Sequence, residues 1–352
     1  MAFGEQLTRR ERLVLEAVIQ TYVQTAEPAG SRALSRRFGL GVSPATIRNT
    51  MSDLEEKGFL SHPHTSAGRV PTDKAYRAYV DQLLSAGPIG SAAADPLQSQ
   101  LERELAEGST AIEEILRRAA QSLGVLTQEL GVALGPRLDT VRLERVELVR
   151  ITSGRLLVVL SLRGGVMRTV FVEVDGEIAD AALAEVTVVL NERLAGLTLA
   201  EVRSSIGERL RDSVTAGHAS DLLNIFVEEG EQLFETALAG NTGSVVLGQP
   251  SVLAEQPEFS AVQSMRRLLA LTETPARLGE AIRRRDHARG ICITIGNEHD
   301  DPHLDQFTVI TAEYQVGSLN GVIGVIGPTR MSYDKVIALV THTSRLVTDL
   351  LD

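Results

Sequence analysis

The sequence predicts a multidomain α+β protein that opens with a winged helix-turn-helix. Three observations carry this. Residues 31–71 read as two short helices around a glycine turn, followed by a basic hairpin. Strand-like runs recur on both sides of a long helical block. Charge is also divided unevenly: the first 80 residues hold eleven Lys+Arg against eight Asp+Glu, and the remainder 24 against 38, within a net charge of −11. The first segment is therefore the expected polyanion reader, and the acidic remainder should repel nucleic acid.

The N-terminal elements follow in order. Thr8-Arg9-Arg10-Glu11 is a capping box, and Val14, Ala17, Val18, Thr21 and Tyr22 share one face of the helix it starts. Pro28 and Gly30 break the chain, Ser31 caps a second helix that buries Leu34 and Phe38, and Gly39 and Gly41 form the turn. Ser43-Pro44 opens a third helix, with a capping serine and a proline in the first turn. On that helix Ile47, Thr50, Met51 and Leu54 face inward. Ala45, Arg48, Asn49 and Ser52 face outward, with Thr46 at the edge.

That outer set is small or polar, holds one arginine and one asparagine, and contains no carboxylate. Such a face suits a major groove, where Arg pairs with guanine and Asn with adenine. Asp53, Glu55 and Glu56 come only in the half that points away from the bases. Gly58 ends the helix, and Phe59-Leu60 begins a strand. Residues 62–69 loop back into Val70-Pro71, which is the pattern of a wing. A helix over 73–84 with Tyr76, Tyr79, Val80 and Leu83 packs back and leads out. Arg48 and Asn49 are the expected base readers, assisted by Thr46 and Ser52. Ser43, Arg36, Arg37, His64, Ser66 and Arg69 are the expected contacts to the DNA backbone. The bland alternative is a small helical protein-interaction module with ordinary arginines.

Beyond this head, residues 85–96 are Pro/Gly/Ala-rich and read as a linker. Helices are expected over 97–106 and 110–130. A three-strand meander is expected over 143–151, 155–162 and 166–174, turned by Ser153-Gly154 and Gly164-Gly165. From 180 to about 239 the pattern is helical, with a second capping box at Thr198–Glu201. Strands resume at 244–247, 290–295, 307–314 and 321–326, with helices over 258–285, broken near Pro275, and 331–351. The expectation is one sheet whose strands are interrupted by a helical insertion.

Two runs carry a family resemblance. SRALSRRFGLGVSPATIRNTMSDLEEKGFLSHPHTSAGRVPTDKAYRAYVD resembles the N-terminal domain of the heat-inducible transcription repressor HrcA family. FTVITAEYQVGSLNGVIGVIGPTRMSYDKVIALVTHTSRLV resembles that family's closing signature, above all in VIGPTRMSY. Behind the winged helix-turn-helix of residues 1–84, the resemblance implies a GAF-like domain with an inserted dimerising domain; the pattern along the chain puts the GAF-like parts at 97–175 and 243–352 and the insertion at 176–242. It also implies a homodimer on double-stranded DNA at an inverted-repeat operator, the CIRCE element of chaperone operons, with the chaperonin GroEL maintaining competence to bind.

No catalytic constellation is visible, and neither a cofactor nor a metal is expected. There is no P-loop, no G-x-S-x-G and no H-E-x-x-H. The closest approach to a metal site is His299-Asp300-Asp301-Pro302-His303, which also reads as a solvated loop. Gly327-Pro328-Thr329-Arg330 reads either as an anion site at a helix start or as a turn in which Arg330 ties down neighbouring backbone. Cys292, the single cysteine, lies in an apolar strand and reads as an inert core thiol in a reducing compartment. No apolar run reaches the roughly 18–20 residues of a membrane span, so a cytoplasmic protein is expected. Two rivals stay open: a metabolite-responsive regulator sensing through the GAF-like domain, and an enzyme with an appended DNA-binding module.

Overall fold

A computed structural model describes residues 7–63, 68–87, 95–106, 112–174, 176, 178–213, 218–239, 245–285, 290–317 and 319–351. The head comprises α1 (Arg9–Thr25), α2 (Ser31–Phe38), α3 (Pro44–Glu56), the strands β1 (Leu60–Ser61) and β2 (Val70–Pro71), and α4 (Asp73–Ser85). Both halves of the capping box form at Thr8 and Glu11, which starts α1 where expected. Val14, Val18, Leu34, Ile47, Leu54, Phe59, Tyr76 and Val80 are buried together at the centre of the head. Ser31 differs from expectation. Gly30 is the N-cap of α2, and Ser31 is its buried first residue.

The body continues through α5 (Asp95–Ala106), α6 (Ile112–Thr127), β3 (Leu130–Leu134), β4 (Leu143–Thr152), β5 (Arg155–Leu162) and β6 (Met167–Glu173). Four helices follow, α7 (Asp180–Leu194), α8 (Leu199–Arg211), α9 (His218–Glu228) and α10 (Gly230–Ala239). The chain closes with β7 (Val245–Leu247), α11 (Ser251–Ala254), α12 (Val262–Glu273), α13 (Pro275–Arg283), β8 (Ile291–Ile295), β9 (Phe307–Val316), β10 (Leu319–Pro328) and α14 (Tyr333–Leu351). Among the described residues, no helix is long and apolar enough to cross a membrane.

The strands form two separate body sheets rather than one. The larger is antiparallel throughout, in the order β7-β3-β10-β9-β8. Residues of α6 and α14 cover one face, and Leu253, Phe259, Leu268, Leu278 and Ile282 cover the other. The meander β4-β5-β6 stands apart. Its inner side chains, among them Val146, Leu156, Val158, Leu160 and Val172, share a core with Val186, Leu190, Val202, Ile206, Leu222 and Phe226 of the helical block. The packing unit therefore begins near Leu138, whereas the sequence reading put the start of the insertion at 176.

The third strand, β3, was absent from the sequence expectation, which ended a helix at residue 130, the strand's first residue, and assigned nothing to 131–134. All five of its residues are buried, so no alternation marks it as a strand. Gln128, at φ +62, breaks the chain between α6 and β3. A Cβ on Gly131 would lie 1.8 Å from the Ala120 carbonyl oxygen, so only glycine lets α6 lie this close to the sheet.

Glu129 sits at the same junction, only 4% exposed, with the Gln256 amide donating to its carboxylate at 3.3 Å. Burial raises its pKa well above the ordinary carboxylate value. A carboxyl so raised favours the folded state while protonated, and that contribution fades as pH climbs above the unfolded value near 4.5. Glu129→Gln should thus stabilise the chain near about pH 8 and change it little near about pH 4. Urea midpoints at the two pH values check this, and equal effects at both would contradict it.

Candidate nucleic-acid interface

Helix α3 divides as its spacing dictates. Ser43 caps it by accepting from the Thr46 amide at 3.1 Å, and Pro44 occupies the first turn. Ile47, Thr50, Met51 and Leu54 are buried, while Ala45, Arg48 and Asn49 are exposed. Among the described residues, neither the Arg48 guanidinium nor the Asn49 amide has a hydrogen-bond or ion-pair partner. A long cationic side chain and a short amide thus project from one helix face. Thr46 and Ser52 are half-buried and already bonded: the Thr46 hydroxyl lies 3.0 Å from that of Ser43, and the Ser52 hydroxyl donates to the Arg48 carbonyl at 3.3 Å.

On α2, Arg36 and Arg37 are both exposed. Arg36 donates weakly to the Arg32 carbonyl at 3.4 Å, and the Arg37 guanidinium lies 5.5 Å from the Phe38 ring centroid. Gly39, at φ +54, and Gly41, at φ +68, turn the chain between α2 and α3. Left-handed backbone at both positions is what allows so short a connection. Arg36 and Arg37 therefore sit on the last turn of α2, just before the turn into the capped start of α3.

The hairpin after α3 is held at three places. Ser61 pairs with Val70 and Leu60 with Pro71, and Ala29 forms an antiparallel bridge with Arg69 through bonds of 2.9 and 3.0 Å. Gly68 lies against that bridge, where a Cβ would fall 2.3 Å from the Ala29 carbonyl oxygen. His64 and Ser66, expected at the hairpin tip, lie outside the described residues.

Arg69 differs most from a free backbone contact. Its side chain is only 16% exposed, pairs with Glu55 of α3 at 2.7 Å and meets the His62 ring. Glu55 thereby ties the hairpin to α3, a role the sequence did not reveal, since its only signal is opposite charge fourteen residues away. A second ion pair, between the exposed Lys57 and the buried Glu11 at 2.6 Å, anchors the C-terminal end of α3 to the start of α1. The Lys57 ammonium holds the Glu11 carboxyl below its usual value.

The remaining sequence candidates resolve differently. His299 faces the Phe307 carbonyl at 3.1 Å, and the His303 amide donates to Asp301 at 2.9 Å. Among the described residues, no three His, Cys, Asp or Glu gather as metal ligands. Arg330 is committed to protein, but not to its neighbouring backbone: it donates to the distant Val23 carbonyl at 2.7 Å and pairs with Glu258 at 3.0 Å. Cys292 is half-buried on the edge strand β8, not enclosed in the core, because an edge strand has a neighbour on one side only. A cleft of about 350 Å³ opens between α12, α13 and the loop carrying Asp301 and His303, with Arg266, Arg277 and Glu273 on its walls.

Comparison with known proteins places the chain. Residues 113–337 match the family described as "HrcA protein C terminal domain". The chain is 38% identical over 343 residues to the heat-inducible transcription repressor HrcA of Chlorobium phaeobacteroides (strain BS1), covering 96% of each chain. It is also 38% identical over 348 residues to the protein of that name from Geobacter sulfurreducens, covering 98% of each. A crystal structure of a protein described as hypothetical shares the fold, with a TM-score of 0.67 at 22% identity, over 98% of this chain and 99% of that one.

The hairpin geometry is directly testable. Gly68→Ala should break the Ala29–Arg69 bridge and destabilise the head by about 1–3 kcal/mol, an overpacking cost. Gly154→Ala, whose new Cβ would be 3.5 Å from the Val174 carbonyl oxygen, should cost under about 1 kcal/mol. Chemical denaturation of both variants decides between a required and an incidental glycine.

Proposed function

The chain belongs to the HrcA family of heat-inducible transcription repressors, and from that membership we propose that it represses transcription by reading an inverted-repeat operator as a homodimer. The observation that carries the reading is the outer face of α3, where Arg48 and Asn49 stand exposed, without a partner among the described residues, on a helix whose opposite face is buried. Residues 7–85 then act as a winged helix-turn-helix, with α3 in the major groove and the β1–β2 hairpin as its wing. The five-stranded sheet with its flanking helices acts as the GAF-like domain, and the block around the meander and α7–α10 as the inserted dimerising domain.

Arg48 donates to a guanine and Asn49 bonds an adenine, while Thr46 and Ser52 complete the groove face. Ser43, Arg36 and Arg37 hold phosphates beside the helix start, as do His64, Ser66 and Arg69 at the wing. The Glu55–Arg69 pair gives the wing a fixed angle to α3, so Arg69 reaches phosphate from an already oriented position.

Homodimerisation has its own support. Val149, Leu157 and Phe171 form one row across the outer face of the meander, and Val149, Ile151, Met167 and Phe171 are each 42–62% exposed. These exposed apolar side chains, bordered on the same face by Arg155 and Glu173, fit burial against a second copy. The operator is the CIRCE element of chaperone genes, and GroEL keeps the repressor competent until heat draws the chaperonin to unfolded clients. These last two assignments rest on family membership alone. A second reading, a regulator gated by a small molecule, is favoured by the cleft beside α12 and α13.

Arg48→Ala should weaken operator binding by about 1–3 kcal/mol and relax preference at one base position. Arg69→Ala should weaken all sequences alike and flatten the salt dependence. Unchanged affinity and preference on Arg48→Ala would remove α3 as the reading helix.

A footprint on the chain's own chaperone promoters should show a symmetric protected palindrome. With purified components, operator occupancy should fall on heating and be sustained by added GroEL. Occupancy indifferent to GroEL but dependent on a retained small molecule would favour the second reading.

A further inference from the structure

The head does not hang from its connection to the body; it is docked. One hydrophobic core runs from Val14, Leu34 and Ile47 through Tyr76 to Tyr333, Val336 and Val340 of α14. Tyr333 of the body lies 5.6 Å from the Tyr76 ring and 6.5 Å from that of Tyr79, both on α4. Its hydroxyl donates to the Thr329 carbonyl at 2.8 Å and lies 3.1 Å from that of Thr308. The segment between β10 and α14 is thereby held rigid.

From that segment Arg330 reaches across to the head. Its guanidinium donates to the Val23 carbonyl at 2.7 Å, in the last turn of α1. Helix-terminal carbonyls lack intrahelical partners and carry the negative end of the helix dipole, so a cation is well placed there. The amide four residues on, that of Glu27, is instead taken by the Thr25 hydroxyl at 3.2 Å. The other edge of the guanidinium grips Glu258 through two nitrogens. Only 14% of the side chain is exposed.

A second attachment lies on α4. Arg77 donates to the Ile293 carbonyl and to Glu298, each at 2.7 Å, and Asp73 accepts from the backbone and side-chain nitrogens of Asn297 at 3.0 and 2.9 Å. Two attachments on two different helices fix an orientation, which one alone would not. Helix α3 packs on α1, so the direction in which Arg48 and Asn49 point is set from the body.

We propose that Arg330 is a positioning residue for operator reading: by clamping α1 to the body it aims α3, and so sets the spacing and helical phase at which two heads engage two half-sites. The proposal rests on the DNA-reading function proposed above. A head free to swivel would still bind one half-site. It would lose discrimination between half-sites on the same face of the duplex and half-sites displaced by half a turn, about five base pairs. Lysine is a poor substitute at Arg330, because an ammonium cannot grip both Glu258 oxygens and the Val23 carbonyl in one planar fork.

The test uses the full chain with Arg330→Gln, Arg77→Gln and a control, Arg117→Gln, whose exposed pairing with Glu114 lies on α6 away from the dock. Affinity is measured for a single half-site, for the operator at native spacing and for one lengthened by about five base pairs. Scanning calorimetry of the free protein reports head–body coupling without DNA. The parent and Arg117→Gln should prefer native spacing by at least about tenfold and melt in one transition. Arg330→Gln should hold single-site affinity within about twofold, reduce the spacing preference to about threefold or less, and melt in two transitions. Arg77→Gln should follow it.

Retained spacing preference in Arg330→Gln overturns the proposal, as does a single melting transition. A single-site loss as large as the operator loss also overturns it, since Arg330 would then support the fold of the head rather than its aim. If the parent binds no operator at all, the DNA-reading function falls, and positioning for it falls too. The calorimetry would then still report whether Arg330 couples head and body.

Discussion

Burial of Ile47, Thr50, Met51 and Leu54 commits one side of α3 to the core, and the capabilities of the head follow from that commitment. Successive helical residues are about 100° apart, so fixing these four inward leaves positions 45, 48, 49 and 52 outward. In the proposed function, the arginine and asparagine on that face serve as the reading surface, and the buried side keeps the helix from rolling. The acidic residues of α3 do not spoil that surface. Asp53, Glu55 and Glu56 lie in its second half, and Glu55 is occupied in holding Arg69 of the hairpin.

The same economy appears in the basic side chains of the head. Arg48 has no partner among the described residues, whereas Arg69 and Lys57 each lock one element to another through a carboxylate. Surface ion pairs contribute little to stability on average, typically about 0–1 kcal/mol. Their value in this head is geometric, because each joins parts whose relative angle the hydrophobic contacts alone leave loose. Arg330 and Arg77 do the same on a larger scale, between head and body. Tyr76, Tyr79 and Tyr333 supply the apolar area at that boundary, and the guanidinium groups supply its direction.

Much of this was legible from residue order. The capping boxes at Thr8 and Thr198, the Ser43-Pro44 start of α3 and the meander over β4, β5 and β6 all form where local pattern places them. Each depends on contacts a few residues apart, or on the strict alternation of a half-buried strand. The failures share an opposite character. β3 is buried on both faces and carries no alternation, so its run past residue 130 was given no element at all. The meander was assigned to the wrong core, because an alternating strand shows that one face is covered and not what covers it. Ser31 looked like a cap but was needed inside, with Gly30 serving in its place.

The sequence by itself determined the local elements, the face that α3 turns outward, and the division between a basic head and an acidic remainder. These are properties of spacing and composition, which folding does not alter. Only the tertiary structure decided that Arg69 answers to Glu55, that Arg330 reaches Val23 across the head–body boundary, and that the strands form two sheets with separate cores. A long-range partner is chosen by whichever groups the packed backbone brings within bonding distance. Chain order carries no measure of that distance until the cores have closed.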